Sequence, residues 1–123
     1  MSYRIKTSTI TAENLTKIQN KYHFSTRAAI LRICISLSLK EGDISLEIIE
    51  NLDTKLGFDI SLQTLFGDEE VYYRCMINYL AGKKLDDNDY SDYVVAHIER
   101  GMTLLYGDFV ITHSLKEFIE KIV

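Results

Sequence analysis

The chain opens on an alternation. Arg4, Lys6 and Ser8 fall on one side of an extended segment and Ile5, Thr7 and Thr9 on the other, which predicts a strand within residues 3–10. Threonine and isoleucine suit a strand, because branched side chains pack well on a pleated surface. From Thr11 the period changes. Leu15, Ile18 and Tyr22 make one apolar stripe at i, i+3 and i+7, and Glu13, Lys17 and Lys21 make a polar row opposite. A helix is therefore predicted over about residues 12–22, with Thr11 as its N-cap. Ser25 is expected to cap a second helix reaching Lys40. Ala28, Ile30, Leu31, Ile33, Cys34, Ile35, Leu37 and Leu39 make this helix apolar almost all round; Ser25, Arg32, Ser36 and Lys40 form one narrow polar stripe. Such a helix belongs in a core or in an interface between copies, so self-association is expected.

Gly42 ends that helix, and Ile44, Leu46, Ile48, Ile49 and Leu52 predict a short helix within residues 44–55. Phe58, Ile60 and Leu62 alternate with Asp59, Ser61 and Gln63, which reads as an extended segment closed by Gly67. Asp68 is placed to cap a helix running to about Leu80, with Glu69 and Glu70 in its first turn and Gly82 as its stop. A polar connector precedes a longer helix from about Asp89 to Tyr106, ended by Gly107. Ser114 and Glu117 match a capping box for a last helix. The fold class expected is mainly α: a short N-terminal strand, a helix-turn-helix pair in ribbon-helix-helix order, and three further helices in a single domain spanning residues 1–123.

Composition adds limits. The longest uncharged runs are eight residues, such as Ile60–Gly67, far short of the ~20 that a membrane-spanning helix needs. Arg4 and Lys6 interrupt any apolar leader core, and two cysteines 41 residues apart, Cys34 and Cys75, make no disulfide framework. A reducing cytoplasm is the expected setting. Both cysteines read most simply as small buried apolar residues.

Charge changes the picture more. The net charge of −4 conceals an asymmetry. Residues 1–40 carry Arg4, Lys6, Lys17, Lys21, Arg27, Arg32 and Lys40 against one acid, Glu13, whereas residues 41–123 carry seven bases and 17 acids. A segment of +6 attached to an acidic body suits a polyanion partner, and these seven bases are the candidate DNA-binding residues. The competing reading is a patch neutralised by the protein's own acids. Basic strand, helix, turn, helix is also the order of the ribbon-helix-helix DNA-binding module, in which paired strands from two copies enter the major groove.

Other chemistry is less evident. His97, Arg100 and Gly101 lie at i, i+3 and i+4. They could form an acid/base group beside a phosphate clamp, or a buried network in which Arg100 meets a carboxylate and Gly101 admits a packed helix. The buried network is favoured, because no nucleophile accompanies them. His23 and His113 have no ligand spacing with His97, so no metal is expected. Asp86, Asp87, Asp89 and Asp92 fail the calcium-loop pattern, because Asp92 and Ile98 stand where it requires glycine and glutamate. There is no phosphate loop, serine elbow or dinucleotide fingerprint, and no cofactor is expected.

Three stretches together resemble the E-component (DndE) family of the Dnd DNA phosphorothioation system: Arg4-Ile5-Lys6-Thr7-Ser8 with the apolar helix Arg27–Leu39, the run Phe58–Gly67 with its acidic helix start, and Ala96-His97-Ile98-Glu99-Arg100-Gly101. The resemblance covers nearly the whole chain. It departs at Phe58-Asp59-Ile60-Ser61, where Phe-Asn-Arg is expected and a base is missing. The resemblance implies a small helical cytoplasmic protein that forms a dimer or tetramer and works with other Dnd subunits, which carry the sulfur and ATP chemistry. It further implies binding to double-stranded DNA, with a leaning toward nicked duplex. The expectation is a non-catalytic DNA-binding subunit. A ribbon-helix-helix regulator or antitoxin, a DNA-nicking nuclease and a pure scaffold are the alternatives.

Overall fold

The alternation at the amino end condenses into a three-residue strand, β1 (Arg4–Lys6), with Ile5 buried and its neighbours exposed. It pairs antiparallel with β2 (Asp59–Ser61), Ile5 lying opposite Ile60. The strand is shorter than the sequence suggests because Ser8, rather than Thr11, caps the next element: its side chain accepts from the Thr11 backbone N–H, and helix α1 (Thr9–Tyr22) starts there. Thr11 turns inward and is buried. The strand–helix–helix order is present, but β1 spends its pairing on a strand 55 residues away in the same chain, where a ribbon-helix-helix module pairs it with a second copy.

Thr26, not Ser25, caps α2 (Arg27–Lys40). α2 is the axis of the core. Ala28, Ile30, Leu31, Cys34 and Ile35 are buried against the long helix α6 (Asp87–Ile111), α1, and the short helix α4 (Leu62–Phe66). Ile33, Leu37 and Leu39 are half-buried, so much of its apolar circumference is covered within one chain. The closest approach is at Gly101 of α6, where a Cβ would collide with the Cys34 carbonyl. α3 (Leu46–Glu50) is short and has no buried residue; the end of the helix expected within 44–55 lies outside the described residues. The structure, a computed structural model, describes residues 3–52 and 56–123.

Several further boundaries differ from expectation. The extended segment stops at Ser61, whose hydroxyl accepts from the Thr64 N–H and starts α4. Leu62, Leu65 and Phe66 are buried at helical, not alternating, spacing. Asp68 caps nothing; Gly67–Glu69 form a 3₁₀ turn leading into α5 (Glu70–Ala81). Gly82 closes α5 in the left-handed region (φ 72), the role its position suggests. Asp86 caps α6, which starts two residues before the expected Asp89 and runs through Gly107, its expected stop, to Ile111. A last helix, α7 (Leu115–Ile122), starts at the expected Ser114 cap and buries Phe118 against Tyr22 and Phe109. Among the described residues, no helix is long and apolar enough to cross a membrane.

Candidate nucleic-acid interface

The seven bases of residues 1–40 separate into distinct neighbourhoods. Arg4 and Lys6 share the exposed face of β1. Arg4 Nε donates to Asp59 Oδ1 at 2.9 Å, so this base is already matched by an acid. Lys6 lies opposite Asp59 in the ladder and forms no ion pair among the described residues.

Lys17 and Lys21 stand one turn apart on α1, toward the carboxyl end of α6. The Lys17 ammonium lies 5.8 Å from the centre of the Tyr106 ring. The Lys21 ammonium lies 5.4 Å from Tyr22 and 5.3 Å from Phe109, and donates to the Thr112 carbonyl at 3.4 Å. Aromatic faces hold both charges without neutralising them.

Arg27 and Arg32 line a groove between the start of α2 and the β2–α4 segment, together with Gln19, Phe58, Ile60 and Thr64. Arg27 Nε donates to Gln19 Oε1 at 3.0 Å and its guanidinium lies over the Phe58 ring at 5.3 Å. Arg32 Nη1 donates to the Leu65 carbonyl at 2.8 Å. Lys40 is exposed at the other end of α2, ~20 Å from Arg27 at 1.5 Å rise per residue. Among the described residues, six of the seven bases have no carboxylate partner, Arg4 being the exception. Gln19, Phe58 and Thr64 were not legible as groove residues, because only the tertiary fold brings them to the arginines.

His97 and Arg100 lie elsewhere. His97 is fully buried, with Nδ1 2.8 Å from Ser38 Oγ and Nε2 without a partner among the described residues. Burial, and then the nearby Arg100 charge, push its pKa down to about 4. Arg100 donates to Ser38 Oγ, to the Ser38 and Gly42 carbonyls and, at 3.0 Å, to the Asp43 carbonyl. These groups lie at and just beyond the carboxyl end of α2, so Arg100 adds donors to the carbonyls gathered there. Its partners are carbonyls where the sequence suggested a carboxylate. The pair locks α2 to α6.

Asp86 caps α6 and Asp87 pairs with Arg74 at 2.8 Å. Hydrogen bonding from Arg74 holds the Asp87 carboxyl below its usual range. Cys34 is buried, as expected, and burial raises its thiol pKa; Cys75 is exposed on α5, contrary to the buried reading. It lies on an outward turn because Ile77 is the residue that α5 buries fully.

Fold and surface define a small, mainly helical protein with an acidic body and unneutralised cations along one segment. A family model described as "DNA sulphur modification protein DndE" matches residues 4–113, and the chain belongs to that family. The crystal structure of DndE from Escherichia coli B7A, involved in DNA phosphorothioation modification, has a similar fold: TM-score 0.64 at 21% identity, over 83% of this chain and 95% of that one. No curated protein sequence matches the chain.

Proposed function

We propose that this chain serves DNA sulphur modification as a subunit that binds the DNA backbone and performs no chemistry itself. The observation that carries the reading is the set of unpaired bases: Lys6, Lys17, Lys21, Arg27, Arg32 and Lys40 form no ion pair with a carboxylate among the described residues. In a chain of net charge −4, cations left unmatched by the protein's own acids are available to phosphates. Binding would release counterions from the duplex, which makes affinity fall steeply with salt. Phosphate contacts position a protein without reading sequence, which suits a modification subunit acting at many sites.

The protein would work in the cytoplasm beside other Dnd subunits, as an oligomer and without a cofactor. Val71, Tyr72, Met76 and Tyr79 give α5 an exposed apolar face that suits contact between copies. Fluorescence anisotropy of a labelled duplex, intact or nicked, across a salt series tests the DNA reading. Binding with a steep salt slope, tighter on the nicked duplex, is expected. Absence of binding to either form would sink it.

A further inference from the structure

The groove beside Arg27 and Arg32 is more specific than a basic surface, and it is the feature from which we infer a discrete phosphoryl-binding seat. The inference rests on the polyanion reading above and names one place where a single tetrahedral oxyanion would sit.

The groove has a volume of 630 Å³ and is lined by Gln19, Ser25, Thr26, Arg27, Ala28, Arg32, Phe58, Ile60 and Thr64. Two guanidinium groups line it and no carboxylate does, in a chain with more acids than bases. The nearest acid in sequence, Asp59, lies on the ribbon face opposite to Ile60 and is held there by Arg4.

Both arginines are oriented rather than free. Arg27 uses Nε on Gln19 and rests on Phe58, and Arg32 uses Nη1 on the Leu65 carbonyl. Among the described residues, the donors of both terminal nitrogens of Arg27, and of Nε and Nη2 of Arg32, have no hydrogen-bond partner. A planar guanidinium whose free edge is fixed in place loses little entropy on binding, and its fork matches two oxygens of a phosphoryl group. The hydroxyls of Ser25 and Thr64 add neutral donors along the wall. The ligand chemistry is a phosphoryl oxyanion, supplied either by a backbone phosphodiester or by a free phosphate-bearing molecule.

Side-chain arginine NMR on the unaltered protein tests the seat directly. Inorganic phosphate is titrated at constant ionic strength, with chloride as the balancing anion. The Nε–H signals of Arg27 and Arg32 are expected to shift together and saturate, while those of Arg4, Arg74 and Arg100 stay in place. No shift, or equal shifts at every arginine, would overturn the proposal.

A second arm uses Arg27→Gln and Arg27→Lys with a blunt duplex bearing 5′-hydroxyl ends. Arg27→Gln is expected to weaken binding about tenfold and to lower the salt slope by about one, with Arg27→Lys intermediate because it keeps the charge and loses the fork. A phosphate response combined with unchanged duplex binding supports the seat and assigns it to a free ligand. Missing phosphate shifts alongside intact duplex binding remove the seat and leave the backbone-binding reading in place. Phosphate shifts in a protein that binds no duplex do the reverse.

Discussion

Ser38 Oγ lies 2.8 Å from His97 Nδ1 at the centre of the α2–α6 contact, and both residues are fully buried. The same hydroxyl accepts from Arg100 Nε at 2.8 Å. One serine therefore joins a neutral imidazole to a guanidinium that closes the end of its own helix. The two residues singled out by spacing on α6 act through this serine on α2.

The buried imidazole links stability to pH. Its pKa is lowered from 6.5 to about 4 by burial and by Arg100. Between those values the unfolded chain takes up a proton that the folded chain refuses, so stability falls as pH drops from about 6.5 toward 4 and this contribution levels off below. The shift corresponds to roughly 3 kcal/mol at most. His97→Gln lacks this titration and is expected to be less stable at neutral pH, because it leaves the buried site imperfectly filled. Urea unfolding at several pH values is expected to show the gap between the two proteins narrowing as pH falls through that window. A gap that does not change with pH would show that the imidazole is not shielded.

Arg100→Gln removes four donors from the carboxyl end of α2 at once. Hydrogen bonds from a charged group contribute ~1.5–3 kcal/mol each when isolated, but partial exposure lets water replace some of them, so a loss of about 2–4 kcal/mol is expected. The Glu41 and Gly42 amides, bonded to the Ser38 and Leu39 carbonyls, should exchange faster. Reduced DNA affinity at unchanged stability would instead make Arg100 a phosphate clamp.

Two glycines on α6 should respond in opposite directions. A methyl at Gly101 meets the Cys34 backbone, which cannot move aside without separating α2 from α6. Gly101→Ala is expected to cost more than 3 kcal/mol, since a packed core has no space to absorb it, or to prevent folding. A methyl at Gly107 meets nothing, and the position has an ordinary helical backbone. Gly107→Ala is expected to stabilise by ~1 kcal/mol, from helix propensity and a less flexible unfolded chain. Thermal melts of the two variants suffice, and a destabilised Gly107→Ala would be the contrary result.

These glycines also show what the sequence could carry. Gly42 and Gly82 stop helices as expected, and both adopt positive φ. Gly107 looks the same in sequence but is traversed, because nothing nearby competes with the helix and Leu105 and Phe109 are buried on either side of it. The α1–α2 pair and the Ser114 cap were legible because their signals are local. The partner of β1 was not, since the β1–β2 ladder joins segments some fifty residues apart and no periodicity records such a pairing. Leu62 was misread as strand because Phe58, Ile60 and Leu62 do alternate; the hydroxyl of Ser61 decides the switch to helix. For the interface, the charge asymmetry was visible at once. Its division among a strand face, an α1 row, a groove and a helix end was not, because that depends on which bases find aromatic rings, carbonyls or acids.

That division gives an ordering for DNA binding. Lys17 and Lys21 stand together on α1, held over Tyr106, Tyr22 and Phe109, so a duplex phosphate gains two pre-placed charges. Lys40 stands ~20 Å from Arg27 along α2, next in sequence to Glu41, and no aromatic ring backs it among the described residues. Replacing both Lys17 and Lys21 with glutamine is expected to reduce the salt slope by about two and to weaken binding at least tenfold at moderate salt. Lys40→Gln should change the slope by less than one. Anisotropy across a chloride series measures both, and circular dichroism confirms that each variant is folded. A Lys40→Gln effect equal to that of the α1 pair would move the binding surface to the far end of α2, away from the groove and the aromatic-backed lysines.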